Sequence, residues 1–197
     1  MLKRICKITF ITHGSTVHTM AGIIGNGLKY PKLNEIGEEE LERVCSYLEK
    51  RGVSYDKIYA SPNTCCTQSA QIVAKLFKQK ATTIDLLPRN YGDWQGMLYS
   101  DILKNGAKSF AQTPENGESI DDFNSRVSDV INQLVNDNKG SRIIIVTTHD
   151  IVQSALAKTL QLAPDNQYKM LIKPGSLTQI SYFDNWSSVI YSDYCPL

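Results

Sequence analysis

Short runs of β-branched and aromatic residues alternate along the chain with longer stretches in which apolar positions recur every three or four residues. That alternation predicts strands separated by helices. Residues 6–12, rich in Ile, Thr and Phe, predict a strand closed by Gly14. A long loop is expected over 16–34, with Gly22, Gly25, Gly27 and Pro31. Asn34 then suits the N-cap of a helix to about residue 51, with Leu41, Val44, Cys45 and Leu48 as its apolar stripe and Gly52 as its stop. Residues 57–60 predict a short strand. Ser61-Pro62 predict the cap and first position of a helix to about 79, and residues 82–86 a third strand.

The second half repeats the scheme. A turn-rich segment at 88–96 and a short helix at 99–105 lead to a loop with Pro114 and Gly117. Ser119 and Asp122 resemble a capping box for a helix that aligns Ile120, Phe123, Val127, Val130, Ile131 and Leu134 and stops at Gly140. A strand at 142–148, a helix at 151–162 and two strands at 177–183 and 188–191, joined at Asn185 as a hairpin, complete the chain. This order predicts an α/β fold, a three-layer α/β/α sandwich with a mostly parallel sheet and an antiparallel edge strand, in one domain over 1–197. Ligands of such sheets bind beyond the carboxyl ends of the strands. His13, Ser61 and His149 all fall at such ends, so one shared cleft is expected.

Composition narrows the partners. The chain has 197 residues with 42% hydrophobic and 21% charged positions and a net charge of +1. That balance offers no field for steering polyanions, so nucleic acid is not an expected partner. No apolar run approaches membrane-spanning length, and residues 1–12 do not read as a signal peptide. The odd number of cysteines, five, with Cys65 and Cys66 adjacent, predicts free thiols in a reducing, cytoplasmic compartment. Gly22-Ile-Ile-Gly-Asn-Gly27 has the wrong glycine order and position for a dinucleotide fingerprint.

Two of the three histidines close apolar runs. A neutral imidazole is a nucleophile towards phosphorus, and a second one beside it can hold a phosphoryl oxygen. Core histidines bonded to carbonyls, or a metal site, are the other readings of the same pattern. No carboxylate or cysteine stands at a ligand-like offset for a metal.

Several segments carry a resemblance. Thr12-His13-Gly14-Ser15-Thr16 resembles the Arg-His-Gly-Glu-Thr signature of the histidine phosphatase superfamily, in its phosphoglycerate mutase-like branch. In register follow Leu33-Asn34-Glu35-Ile36-Gly37, Ala60-Ser61-Pro62 with Gln68-Ser69-Ala70, Tyr91-Gly92-Asp93-Trp94-Gln95-Gly96, Gly117-Glu118-Ser119, and Val146-Thr147-Thr148-His149. The resemblance implies a phosphoglycerate mutase-like fold, a phosphohistidine at His13, and His149 in contact with the phosphoryl group. Three positions depart from it: Thr12 and Cys65 stand where the family has arginines, and Pro88 where it has an acidic glutamate. Two lost guanidinium contacts at roughly 1.5–3 kcal/mol each amount to about 3–6 kcal/mol, or some two to four orders of magnitude in rate or binding.

Other groups are candidates for the missing roles. Asp150 follows His149 as in the acid phosphatase branch, where the equivalent aspartate protonates the leaving group; with Gln153 it also reads as a helix cap. Arg89 matches an arginine of substrate-binding mutases, and Lys29 and Lys32 lie on the glycine-containing loop. Cys65 sits in a first helical turn, where a thiol's pKa falls, but no arginine stands six residues later as in cysteine phosphatases. The expected catalytic set is therefore His13, His149 and Asp150, with Thr12, Gly14, Ser61, Cys65 and Arg89 around the substrate. The expected activity is attenuated phosphatase-like hydrolysis of a small phosphorylated molecule, with no metal or organic cofactor and with mutase chemistry disfavoured. Its alternative is an inactive relative that binds a phosphorylated ligand or protein. The oligomeric state is not specified by the pattern.

Overall fold

The computed structural model describes residues 4–25, 31–104 and 106–197. Six strands form one sheet: β1 (Cys6–Thr12), β2 (Lys57–Ala60), β3 (Ala81–Thr83), β4 (Arg142–Thr147), β5 (Leu177–Tyr182) and β6 (Ser187–Tyr194). Their order is β3-β2-β4-β1-β5-β6. The first four run parallel, β5 runs antiparallel to β1, and β6 returns antiparallel to β5. The expected hairpin thus supplies the antiparallel edge of an otherwise parallel sheet.

Helices cover both faces, because the strands are apolar on both. On one face α2 (Glu35–Lys50) and α3 (Thr64–Leu76) bury Leu41, Val44, Leu48, Ala70 and Val73 against Ile11, Ile58, Ile144 and Val146. On the other, α5 (Ile120–Asp137) and α6 (His149–Leu160) bury Phe123, Val127, Ile131, Val152 and Leu156 against Ile8, Phe10, Ile143 and Ile145. A third cluster, built from Ile24, Tyr91, Ile102 and Phe110 with Trp94, Tyr99 and Tyr168 packed on it, draws together the loop after β1, the segment between β3 and α5, and Tyr168.

Several elements start or stop away from their sequence-based bounds. Residues 16–25 are not all loop: α1 (Val17–Ala21) is capped by Thr16, whose hydroxyl accepts from the Thr19 N–H while the Thr19 hydroxyl accepts from the Thr16 N–H. Ser61 does not cap α3. Its hydroxyl donates to the Leu86 carbonyl at 2.7 Å and lies 2.7 Å from Thr147 Oγ1, and the cap position falls on Asn63. The helix after β4 starts at His149 with Thr148 as its extended cap residue, two residues earlier than expected. The polar pair His149-Asp150 hides that start from an apolar-periodicity reading. A short α4 (Tyr99–Leu103) and a four-residue α7 (Pro164–Gln167) lie beside the third cluster.

One close approach sets the geometry at the end of β1. The backbone after His13 crosses the first turn of α2 so tightly that a Cβ on Gly14 would stand 2.3 Å from the Gly37 carbonyl oxygen, and one on Gly37 2.2 Å from that of Ser15. Both positions require the absent side chain. Asn34 anchors the same turn by accepting from the Gly37 N–H at 2.8 Å, and Glu40 accepts from the Ser15 N–H at 2.7 Å and from its hydroxyl at 2.8 Å. Gly37→Ala overpacks this crossing and should cost at least about 1–3 kcal/mol. Urea unfolding measures it, and a loss under about 0.5 kcal/mol would show that the crossing tolerates a methyl group.

Candidate active site

The site forms where β1 and β4 end side by side. Thr12 pairs with Thr147 at the last step of the parallel ladder, and the His13 N–H continues it by donating to the Thr147 carbonyl at 3.0 Å. The His13 side chain is 2% exposed. Its Nδ1 lies 2.8 Å from the Gly14 carbonyl oxygen, and a carbonyl only accepts, so Nδ1 carries the proton and Nε2 the lone pair. Gly14 is held in turn: its N–H donates to Ser69 Oγ at 3.2 Å, and that hydroxyl donates to the Cys65 carbonyl at 2.7 Å.

Cys65, at the second position of α3, is fully buried beside His13. Burial disfavours the His13 imidazolium, but the charge and hydrogen bond of the Cys65 sulfur, aided by the Gly14 carbonyl and Asp150, outweigh it and raise His13 above the ordinary histidine range. Conversely, a hydrogen bond from Cys66, opposed by burial and reinforced by the His13 charge, lowers the Cys65 thiol. Cys66 itself is pushed up by burial and by Cys65.

His149, at the first position of α6, faces the same cleft. Its Nε2 lies 2.9 Å from the Tyr99 hydroxyl, and the two rings meet edge-on with centroids 5.8 Å apart. Burial lowers the His149 pKa, and the nearby His13 adds to that fall against Asp150 and Cys65. Burial likewise raises that of Tyr99, so its hydroxyl keeps its proton. The cleft has a volume of about 460 Å³ and is lined by Thr12, both histidines, Tyr99, Phe110, Tyr168 and aliphatic residues of 170–174. A larger, open groove of about 1150 Å³ between α5, α6 and the β5–β6 hairpin contains neither histidine.

The remaining candidates are placed differently from expectation. Thr12 lines the cleft, whereas Gly14, Ser61, Cys65, Arg89 and Asp150 do not. Arg89 is 1% exposed and has no N–H left for a substrate. Its five guanidinium hydrogens go to the carbonyls of Phe110, Gln112 and Glu118 (the last from Nε and an Nη) and to the Tyr168 hydroxyl. Arg89 therefore ties the segment over the cleft together instead of binding ligand. Asp150 is an acceptor only: one oxygen accepts from the Arg89 N–H at 2.8 Å, the other from the Ile151 N–H at 2.9 Å and from the Thr148 hydroxyl. So occupied, the carboxyl group ties the start of α6 to the backbone at Arg89. Glu118 grips Arg126, which also donates to the carbonyls of Leu87 and Pro88. Lys32 is exposed and does not line the cleft, and Lys29 lies outside the described residues.

Tyr99, Phe110, Tyr168 and Ser69 are the site residues that the sequence reading missed. The density of aromatic residues over 91–110 is the only trace of the first two, and nothing local signals Tyr168.

An α/β sheet that brings two histidines together over adjacent parallel strand ends, beside the N-termini of α3 and α6, defines a class of histidine-centred folds with the cleft at the carboxyl end of the sheet. The model of the histidine phosphatase superfamily (branch 1) matches residues 8–191, and the chain belongs to that family. A broad-specificity phosphatase of Saccharomyces cerevisiae is 27% identical over 185 residues, covering 90% of this chain and 80% of the relative. A phosphoglycerate mutase-like protein of Arabidopsis thaliana is 26% identical over 202 residues, covering 97% and 86%. The crystal structure of an Entamoeba histolytica phosphoserine phosphatase in complex with 3-phosphoglyceric acid superposes with a TM-score of 0.84 at 19% identity, covering 96% of this chain and 97% of that one. Among the described residues no helix is long and apolar enough to cross a membrane.

Arg89→Lys leaves several buried carbonyls without donors and should destabilise the protein by about 2–3 kcal/mol. Chemical denaturation reads this directly, and an unchanged midpoint would contradict the tying role.

Proposed function

We propose that the protein is a phosphomonoesterase that works through a phosphohistidine at His13. The observation that carries this is the Nδ1–H bond from His13 to the Gly14 carbonyl, which fixes the ring so that Nε2, beside the Cys65 sulfur, is the nitrogen that attacks. In the first step that lone pair attacks phosphorus, the bond to the leaving oxygen breaks, and its electron pair departs on that oxygen. The Gly14 carbonyl stabilises the charge gained by the ring. In the second step water attacks phosphorus, the N–P bond returns its electron pair to Nε2, and inorganic phosphate leaves. His149, which lines the cleft with His13, is the side chain available to the phosphoryl oxygens.

A neutral Thr12 and a Cys65 in contact with His13 replace the two arginines that the family resemblance implies. This supports weak binding of the phosphate dianion and slow turnover. A binding-only role is less favoured, because a buried imidazole with an oriented lone pair serves no purpose in it. The relatives named as phosphatases support the same reading. Cys6, Cys45, Cys65, Cys66 and Cys195 are free thiols, which supports a reducing, cytoplasmic setting.

Incubation with p-nitrophenyl phosphate should release phosphate and leave an acid-labile phosphoprotein, and His13→Ala should lower the rate by at least about a thousandfold. Equal rates in the two proteins, or none in either, would reject the mechanism. The pH dependence supplies a second check. His13 acts unprotonated, and Cys65 holds its pKa up. In Cys65→Ala only burial, the Gly14 carbonyl and Asp150 remain, so the acid limb of kcat/KM should move to lower pH. A limb that stays in place would show that the thiol does not tune the nucleophile.

A further inference from the structure

The cleft beside the two histidines differs in two ways from one built for a charged alcohol such as a phosphorylated hydroxy acid. Apart from the histidines, Thr12, Thr19, Gln153 and Lys169, its described wall is aromatic and apolar. The Phe110 ring lies with its centroid 5.3 Å from those of both Tyr99 and Tyr168, and Leu103, Met170 and Ile172 continue the surface. Among the described lining residues the one lysine, arginine or carboxylate side chain is Lys169, which is exposed. Arg89, expected around the substrate, is sealed into the carbonyls of Phe110, Gln112 and Glu118.

The second difference concerns the leaving oxygen. No carboxylate lines the cleft. Glu40 is spent on Ser15, Glu118 on Arg126, and Asp150 on three donors. The residues outside the described set, 1–3, 26–30 and 105, contain no Asp or Glu either. The Tyr99 hydroxyl is engaged with His149. A site without a carboxylic acid is poorly suited to expel an alkoxide, whose conjugate acid ionises near ~16 as water does. It is suited to a phenolate, whose conjugate acid ionises near ~10 as tyrosine does.

We infer that the substrates are phosphate monoesters of uncharged aromatic alcohols, with the ring seated among Tyr99, Phe110 and Tyr168 and leaving as the free aryloxide. This rests on the phosphatase reading above. The P–O electron pair departs on the aryl oxygen, which takes its proton from solvent, and the phosphoryl group stays on His13 until water removes it. Offset and edge-to-face contacts supply the ring preference that an aliphatic chain of equal volume lacks.

The test compares kcat/KM for 2-naphthyl phosphate, n-octyl phosphate and phosphoserine, together with a series of substituted phenyl phosphates of graded leaving-group pKa. The naphthyl ester should exceed the octyl ester by about a hundredfold or more and phosphoserine by a larger factor. Within the phenyl series, kcat/KM should fall at least about threefold per unit rise in leaving-group pKa. Phe110→Leu, which keeps apolar volume but removes the ring, should reduce the naphthyl-to-octyl ratio about tenfold. A merely destabilising change would lower both rates and leave that ratio in place. Comparable rates on naphthyl and octyl esters, a flat phenyl series, or a preference for phosphoserine would overturn the inference. The His13→Ala protein separates the two claims: retained turnover with the same aryl preference would reject the phosphohistidine step while upholding the pocket. If nothing is turned over, calorimetric binding decides. Naphthyl phosphate binding tenfold tighter than phosphoserine upholds the pocket assignment, and equal or weaker binding overturns it.

Discussion

The contact between Gly14 and Gly37 is the constraint on which the site depends. It forces the chain leaving β1 to turn against the first turn of α2, and only in that path does the Gly14 carbonyl lie under His13 Nδ1 while the Gly14 N–H meets Ser69. Asn34, Glu40 and Ser69 each bind a backbone group of this crossing or of the residues beside it. The nucleophile candidate is therefore oriented by backbone, with side chains from α2 and α3 clamping that backbone. Such an arrangement tolerates large changes in the charges around the histidine without losing its position.

Charge is where this chain has diverged from the pattern its sequence resembles. Arginine is present near the cleft, but it is structural. Arg89 and Arg126 together satisfy the carbonyls of Leu87, Pro88, Phe110, Gln112 and Glu118, groups that would otherwise be left without partners at a cost of about 1–3 kcal/mol each. Arg89 holds Phe110 and Tyr168 in place over the strand ends, and Arg126 braces the chain before Arg89 and holds Glu118. The described lining of the cleft is left with two imidazoles and the exposed Lys169, and with no guanidinium.

Cys65 brings a titratable partner to the histidine. A thiol in contact with His13 couples the titrations of the two groups: the thiolate favours the imidazolium, and the imidazolium favours the thiolate. Protonation of His13 thus becomes a property of the pair, with Cys66 as a third member through its hydrogen bond to Cys65. Burial of all three keeps that coupling strong by excluding screening solvent.

The layered sheet, both histidines at one end and the helices on both faces were legible in the sequence, because hydrophobic periodicity and strand-end placement are local signals read directly from residue order. The terminal hairpin and the N-caps at Asn34 and Ser119 were legible for the same reason. The fates of Ser61, Arg89 and Asp150 were not, since each is decided by partners 25, 21 to 79, and 61 residues away in the chain. The aromatic wall belongs to the same category: Tyr99, Phe110 and Tyr168 meet only after the segment between β3 and α5 folds over the strand ends. What the residue order alone determined was which groups arrive at the carboxyl end of the sheet. Which of them face the cleft and which are spent on the fold was decided by tertiary hydrogen bonding, because a buried polar group goes first to the nearest unsatisfied backbone.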